Sequence, residues 1–175
     1  MNWEAIGSIG EIIGATAVIG SLLFVGYQLR QSHSVERANG QREMLKQGRE
    51  WFALTRSNIE LNQAVCLLIH GYENGDSRQQ HLFYSWFWDF LLLLEQAFYM
   101  HRDGFMNDAS FIGFETTGIS MINTPGGMRC WQHAREIWGE DARNHIIAVI
   151  EERGDAIPPF YELWPHFDTT DKSEV

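Results

Sequence analysis

The chain has 175 residues, 45% of them apolar, with 23 acidic against 13 basic side chains. One folded domain fits that length, and an aromatic content of 13% with seven Trp excludes a disordered, solvating segment. The net charge of −10 excludes a protein whose main work is neutralising phosphate backbones, so no nucleic-acid partner is expected.

The first predicted element is a transmembrane helix over residues 1–30. Residues 12–27 carry no charge, and with Glu11 admitted the mostly apolar stretch runs from Ala5 to Leu29, which exceeds the about 20 residues needed to cross the hydrocarbon. Met1, Asn2, Trp3 and Glu4 ahead of it lack the basic region of a cleaved leader. Behind it come Arg30, Arg37, Arg42, Lys46, Arg49 and Arg56 against Glu36, Glu43 and Glu50, a local charge of +3. The positive-inside bias then predicts a single pass with the amino terminus outside and the remainder cytoplasmic. Arg30, Arg37, Arg42, Lys46 and Arg49 would lie at the lipid surface, each contributing about 1 kcal/mol beside anionic headgroups. Cys66 and Cys130, in apolar helical patterns and without a CxxC, suit a reducing compartment. The alternative is a buried hydrophobic helix of a soluble domain.

Gly7, Gly10, Gly14, Ala17 and Ser21 are spaced 3, 4, 3 and 4, so they share one stripe of that helix. Small residues let helices approach closely in lipid, which predicts a homo-oligomer or pairing with another membrane subunit. Glu4 and Glu11 stand seven residues apart on nearly the same side. Either they sit at the interface and favour the helix dipole, or they ring a pore in a small homo-oligomeric ion channel.

Residues 31–57 read as a juxtamembrane helix, with Gly40 and Gly48 marking bends. Residues 58–167 read as a cytoplasmic helical domain. Asn58 caps a helix to about Tyr72, and Glu73–Ser77 is a turn. Ser77 with Gln80 forms a capping box for a long aromatic helix to His101 or Arg102, ended by Asp103-Gly104. Within it, residues 82–100 are apolar enough to raise a second span, against which Asp89 and Glu95 each count about 3 kcal/mol. Asn107 caps a helix to about Ile122, Thr124-Pro125 opens one through Trp138, and Glu140–Arg153 is the last, stopped by Gly154 and Pro158-Pro159. The tail, 168–175, is polar and expected to fray. No alternating strand pattern occurs, so the fold class is all-α.

From Ser57 onward there are seven basic and eighteen acidic residues, so charge is polarised along the chain. Of seven His, only His133 with Glu136 and Glu140, and His145 on the next helix, approach metal-ligand spacing. Matching Glu-x-x-His pairs and HExxH are missing, so no metal and no cofactor is expected. No GxSxG occurs, Cys130 looks like a small buried hydrophobe, and Gly126-Gly127 read as the first turn of a helix.

The opening MNWEAIGSIGEIIGATAVIGSLLFVGYQLRQ resembles that of a widespread group of bacterial proteins of uncharacterised activity. EQAFYMHRDGFMND, from Glu95 to Asp108, and NTPGGMRCWQ, from Asn123 to Gln132, resemble the same group. The resemblance implies a single-pass helical protein of a bacterial inner membrane and carries no catalytic residue across. The expected function is a non-enzymatic, lipid-anchored scaffold or interaction subunit. A metal-dependent enzyme built on His133, Glu136, Glu140 and His145 is the remaining alternative beside the channel.

Overall fold

In a computed structural model describing residues 3–168, and of their side chains those from residue 14 onward except residue 15, the chain is all-α, with no strand among the described residues. Gly7, Gly10, Glu4 and Glu11 are therefore described in backbone only, and the tail from residue 169 lies outside the described residues. Among the described residues the α-helices are, in order, α1 Trp3–Ser57, α2 Ile59–Leu68, α3 Ser77–Arg102, α4 Asp108–Ile122, α5 Pro125–Ala134, α6 Glu140–Arg153 and α7 Phe160–Leu163. The chain divides into two compact units, Met1–Asn39 and Gly40–Val175. Both draw on α1, and the boundary falls inside the stretch expected as one juxtamembrane helix.

The second unit is a bundle around α3. Phe83, Trp86, Phe87, Phe90, Leu91, Leu94 and Ala97 are buried in a 3-4 spacing, which is one face of a helix turned to a core. Asp89, Leu92 and Gln96 on the other face are exposed. Burial of part of its surroundings raises the Asp89 carboxyl above its ordinary value. Among the described residues no helix is long and apolar enough to cross a membrane, so α3 is the centre of a bundle and not a second span. Glu95 accepts the Gly139 N–H at 3.1 Å, which is the donor that an acid on this apolar helix required.

The end of α1 is fastened to α3 by Trp51. Its ring stacks on Trp86 with centroids 4.5 Å apart, and its Nε1 donates to the Trp86 carbonyl at 2.9 Å. Helix α1 is continuous through Gly40 and Gly48. A Cβ at Gly48 would come within 3.3 Å of the Phe114 ring, and one at Gly40 within 2.9 Å of Met100. These glycines serve close packing.

Boundaries follow the caps. Asn58, Asn107 and Thr124 each accept the backbone N–H three residues on. The box that opens α3 sits one residue earlier than expected. Asp76 accepts from the Gln79 N–H and Gln79 reaches back to the Asp76 N–H, because a carboxylate suits the helix amino terminus better than the Ser77 hydroxyl. Gly104 ends α3 at φ 77°, a left-handed turn that a side chain would resist. Two expected helices are shorter in the structure. Helix α2 stops at Leu68, and α5 stops at Ala134 instead of Trp138, where Trp138 leaves the helix to meet Trp131 edge-on at 5.4 Å. Beyond Gly154 the stop signals give way to α7 and a short turn, Pro165–Phe167. Phe160, Trp164 and Phe167 there close over Phe52 and Trp86. Asn123 holds this return by donating to the carbonyls of Gly154 and Ile157 at 2.9 and 2.7 Å.

The Thr-Pro-Gly-Gly start of α5 lies directly against α2. A Cβ at Gly126 would meet the Leu68 carbonyl oxygen at 1.8 Å, and one at Gly127 would meet the Met121 oxygen at the same distance. Backbone cannot yield as a flexible side chain can, so Gly126→Ala is expected to destabilise the bundle by about 3 kcal/mol. Urea unfolding followed by circular dichroism checks this, and an unchanged midpoint would refute the close approach.

Candidate functional site

In the first unit, α1 carries a run of exposed apolar side chains. Leu22, Leu23, Phe24 and Val25 are all exposed, Leu23 to 71%. Successive residues lie about 100° apart around a helix, so this apolar surface goes all the way round. Of the expected small-residue stripe, Gly14, Ala17 and Ser21 are exposed, and a Cβ at Gly14 would meet nothing within 4 Å. Ser21 donates its hydroxyl to the Ala17 carbonyl at 2.8 Å, so the one polar side chain of that trio satisfies its hydrogen within the helix. Gly7, Gly10, Glu4 and Glu11 lie outside the described side chains.

The expected lipid-facing cations are exposed: Arg30 and Arg37 in the first unit, and Arg42, Lys46 and Arg49 in the second. Lys46 stands 3.5 Å from Glu43 and 3.8 Å from Glu50 on the same helix. That local pairing spends part of its charge.

The four residues with metal-like spacing are not brought together. Helix α5 ends before Glu136, so His133, Glu136 and Glu140 do not share a helix face as the longer predicted helix required. His133 Nδ1 faces the Arg129 carbonyl at 3.0 Å, and Glu136 pairs with Arg135 at 3.2 Å. His145 turns to Glu115, with Nε2 2.6 Å from a carboxylate oxygen. Among the described residues no group of three His, Cys, Asp or Glu is gathered as a metal ion would need.

Glu115 is the buried acid that sequence reasoning missed. Only 2% of it is exposed, and Arg153 bonds its second oxygen while His145 takes the first. Both partners come from α6, 30 and 38 residues further along, so no local pattern announces the cluster. Phe98 and Phe111 lie beside His145 at 5.1 and 5.7 Å. The arrangement is a charged clamp between α4 and α6, since each carboxylate oxygen is already occupied.

Cys130 lines a cavity of about 210 Å³ with Tyr72, Tyr84, Arg129 and His133. Burial pushes its thiol up to about 12, with Arg129 pulling less strongly the other way. Tyr72 and Tyr84 are likewise raised, first by burial and then by Cys130. A thiol that stays protonated is a poor nucleophile.

A larger apolar groove, about 350 Å³, runs between the end of α1 and α4. Leu45, Trp51 and Phe52 line it from α1, Ala109, Gly113 and Thr117 from α4, and Trp164 also borders it. Hydrogen bonds form in and beside it. Gln41 donates to the Ser110 hydroxyl at 2.8 Å, Asn107 donates to Gln41 at 3.3 Å, and Thr117 donates to the Gly113 carbonyl at 2.8 Å. No single spacing in the sequence reveals this groove. The signal was a glycine at 113 in a helix, with no neighbour within 4 Å of its would-be Cβ.

No protein-family model, curated protein or solved structure matches the chain.

Two outcomes follow. Because burial raises the Cys130 thiol, its thiolate at pH 8 is scarcer in the folded chain than in the unfolded one. Alkylation of Cys130 should therefore run about a hundredfold or more slower in the native protein and should keep rising above pH 9, where an ordinary thiol levels off. Mass spectrometry of the Cys130 peptide reads both effects. Removing the charge centre by Glu115→Ala should cost about 2 kcal/mol, less than a fully buried pair would, because His145 and Arg153 are partly solvated. A Glu115/Arg153 double-mutant cycle should then show coupling of about 1 kcal/mol, and additivity would sink the clamp.

Proposed function

We propose that this chain is a non-enzymatic scaffold or interaction subunit of a bacterial inner membrane. On this reading it is held by one amino-terminal helix, with the amino terminus outside and the helical unit cytoplasmic. The helix associates with its own copies, or with another membrane subunit, through Gly7, Gly10, Gly14, Ala17 and Ser21. The observation that carries this reading is the apolar surface on every side of α1 at Leu22–Val25. Water-facing surface of that kind is rare on a protein that needs no cover, and hydrocarbon is the surrounding in which all sides can be apolar at once. The described residues alone do not amount to a span. The span needs residues 5–13 as well, which continue the apolar run apart from Glu11.

The stretches that resemble the bacterial group support a structural role over a catalytic one. Within Glu95–Asp108, Glu95 binds the Gly139 N–H and Gly104 makes the left-handed stop. Within Asn123–Gln132, Asn123 holds the carboxyl-terminal return and Gly126 permits contact with Leu68. Their distinctive residues are committed to packing. The exposed Arg30 and Arg37 behind the apolar run suit the cytoplasmic surface of an anionic membrane.

The full-length protein should stay with the membrane through an alkaline carbonate wash, and release into the supernatant would defeat the anchor. In mild detergent it should have the mass of a defined multimer. Gly10→Leu or Gly14→Leu should lower that mass, because a leucine at the stripe keeps the backbones apart. An unchanged mass by light scattering would remove the stripe as the assembly surface while leaving the anchor standing.

A further inference from the structure

Beyond α1 the arginines of the bundle are occupied, with one exception. Arg78 pairs with Glu60, Arg102 with Asp141, Arg135 with Glu136 and Arg153 with Glu115, while Arg143 donates to the Arg135 carbonyl. Among the described residues after α1, Arg129 is the arginine whose side chain has no carboxylate or carbonyl partner. It borders the cavity of about 210 Å³ that also touches Cys130, a side chain only 1% exposed. An unpaired cation in so acidic a stretch of chain therefore stands at a cavity and not on a bare face.

The rest of the lining is neutral and rich in donors. Burial raises the Tyr72 and Tyr84 phenols, so each keeps its hydrogen at neutral pH. The Tyr84 hydroxyl has no hydrogen-bond partner among the described residues, and that of Tyr72 reaches the Gln80 carbonyl only at 3.5 Å, a weak contact. The Cys130 thiol, pushed up to about 12 by burial, is uncharged. His133 sets Nδ1 3.0 Å from the Arg129 carbonyl. A carbonyl only accepts, so the ring hydrogen sits on Nδ1 and Nε2 is left over, an acceptor in the neutral ring and a donor in the charged one. Glu73, which acts on Tyr72 least among its neighbours, is exposed and stands outside the lining. No carboxylate lines the cavity.

This set of groups selects by charge. A metal ion would face the Arg129 guanidinium and a thiol that holds its proton. An oxyanion meets the paired N–H groups of a guanidinium, the geometry that suits carboxylate and phosphate, with two phenols to donate beside it. Size narrows the choice, because 210 Å³ is below the roughly 300 Å³ at which sites for drug-sized ligands begin. We propose that this cavity binds a small oxyanion, a carboxylate or a phosphate monoester, held by the Arg129 guanidinium with the Tyr84 and Tyr72 hydroxyls as further donors. The proposal does not rest on the membrane reading, since every lining residue lies within Gly40–Val175.

The test is equilibrium dialysis of the full-length protein, in mild detergent, against phenyl phosphate, benzoate and uncharged benzamide. At least one anion should bind about tenfold or more tightly than benzamide. Arg129→Gln should weaken that anion about tenfold and Tyr84→Phe about threefold, each with an unchanged urea midpoint. Arg135→Gln removes an equal charge outside the cavity and should leave binding intact. The tighter anion, carrying an aryl azide and photolysed, should label residues 72–84 and 129–133, read by peptide mass spectrometry. Tighter binding of phenyl phosphate assigns a phosphate ligand, and of benzoate a carboxylate. Benzamide held as tightly as the anions, equal losses in Arg129→Gln and Arg135→Gln, unchanged affinity in Arg129→Gln or Tyr84→Phe, label elsewhere, or neither anion retained at about 10 mM would each overturn the site.

Discussion

The contact on which the second unit depends is the stack of Trp51 on Trp86. It joins the end of α1 to the central helix by two different forces: ring contact at 4.5 Å and a hydrogen bond from the Trp51 indole to the Trp86 backbone. The ring contact alone would tolerate sliding, because stacked faces have a shallow minimum. The hydrogen bond fixes the register of α1 along α3. With that register set, Gly48 comes against Phe114 and Gln41 reaches Ser110 on α4. The returning segment then covers the same aromatic cluster from the other side, Phe160 meeting Trp86 edge-on at 5.9 Å. The burial that α3 needs for its Phe, Trp and Leu face is thus supplied by α1, α2, α4 and the carboxyl-terminal return together.

Much of the helical order was legible in the sequence, because the residues that start helices are also the ones that satisfy their free N–H groups. Asn58, Asn107 and Thr124-Pro125 mark starts that the structure keeps. The errors have local physical causes. Asp76 and Ser77 are both good caps, and the charge of the aspartate decides between them. Residues 135–139 have helical composition, but Trp138 gains more by packing on Trp131 than by continuing α5, and Gly139 is drawn to Glu95. The carboxyl-terminal return was hidden because its prolines read as the end of structure, when they only ended α6.

The site was less legible than the fold. An acid in Phe-Glu-Thr-Thr looks like a solvated face until two cations from a distant helix converge on it, as they do on Glu115. The groove is a property of two helices at a certain separation, and only the unexplained glycine at 113 hints at it from one of them. The small-residue stripe, by contrast, is a pattern within a single helix and needs no second element to be read. The described members of that stripe, Gly14, Ala17 and Ser21, are exposed.

The contact between Gly126 and the Leu68 carbonyl bears on how the bundle comes together. Most of its core is made of side chains that can exchange neighbours, and a loosely collapsed chain could bury them in many arrangements. A glycine pressed on a carbonyl, with the Gly126 N–H 3.3 Å from the Ile69 oxygen, admits no such substitutes. A molten globule, swollen by about a tenth or more in radius, would already have lost it. The crossing of α2 and α5 is therefore an all-or-none element, separating the ordered bundle from a merely compact one.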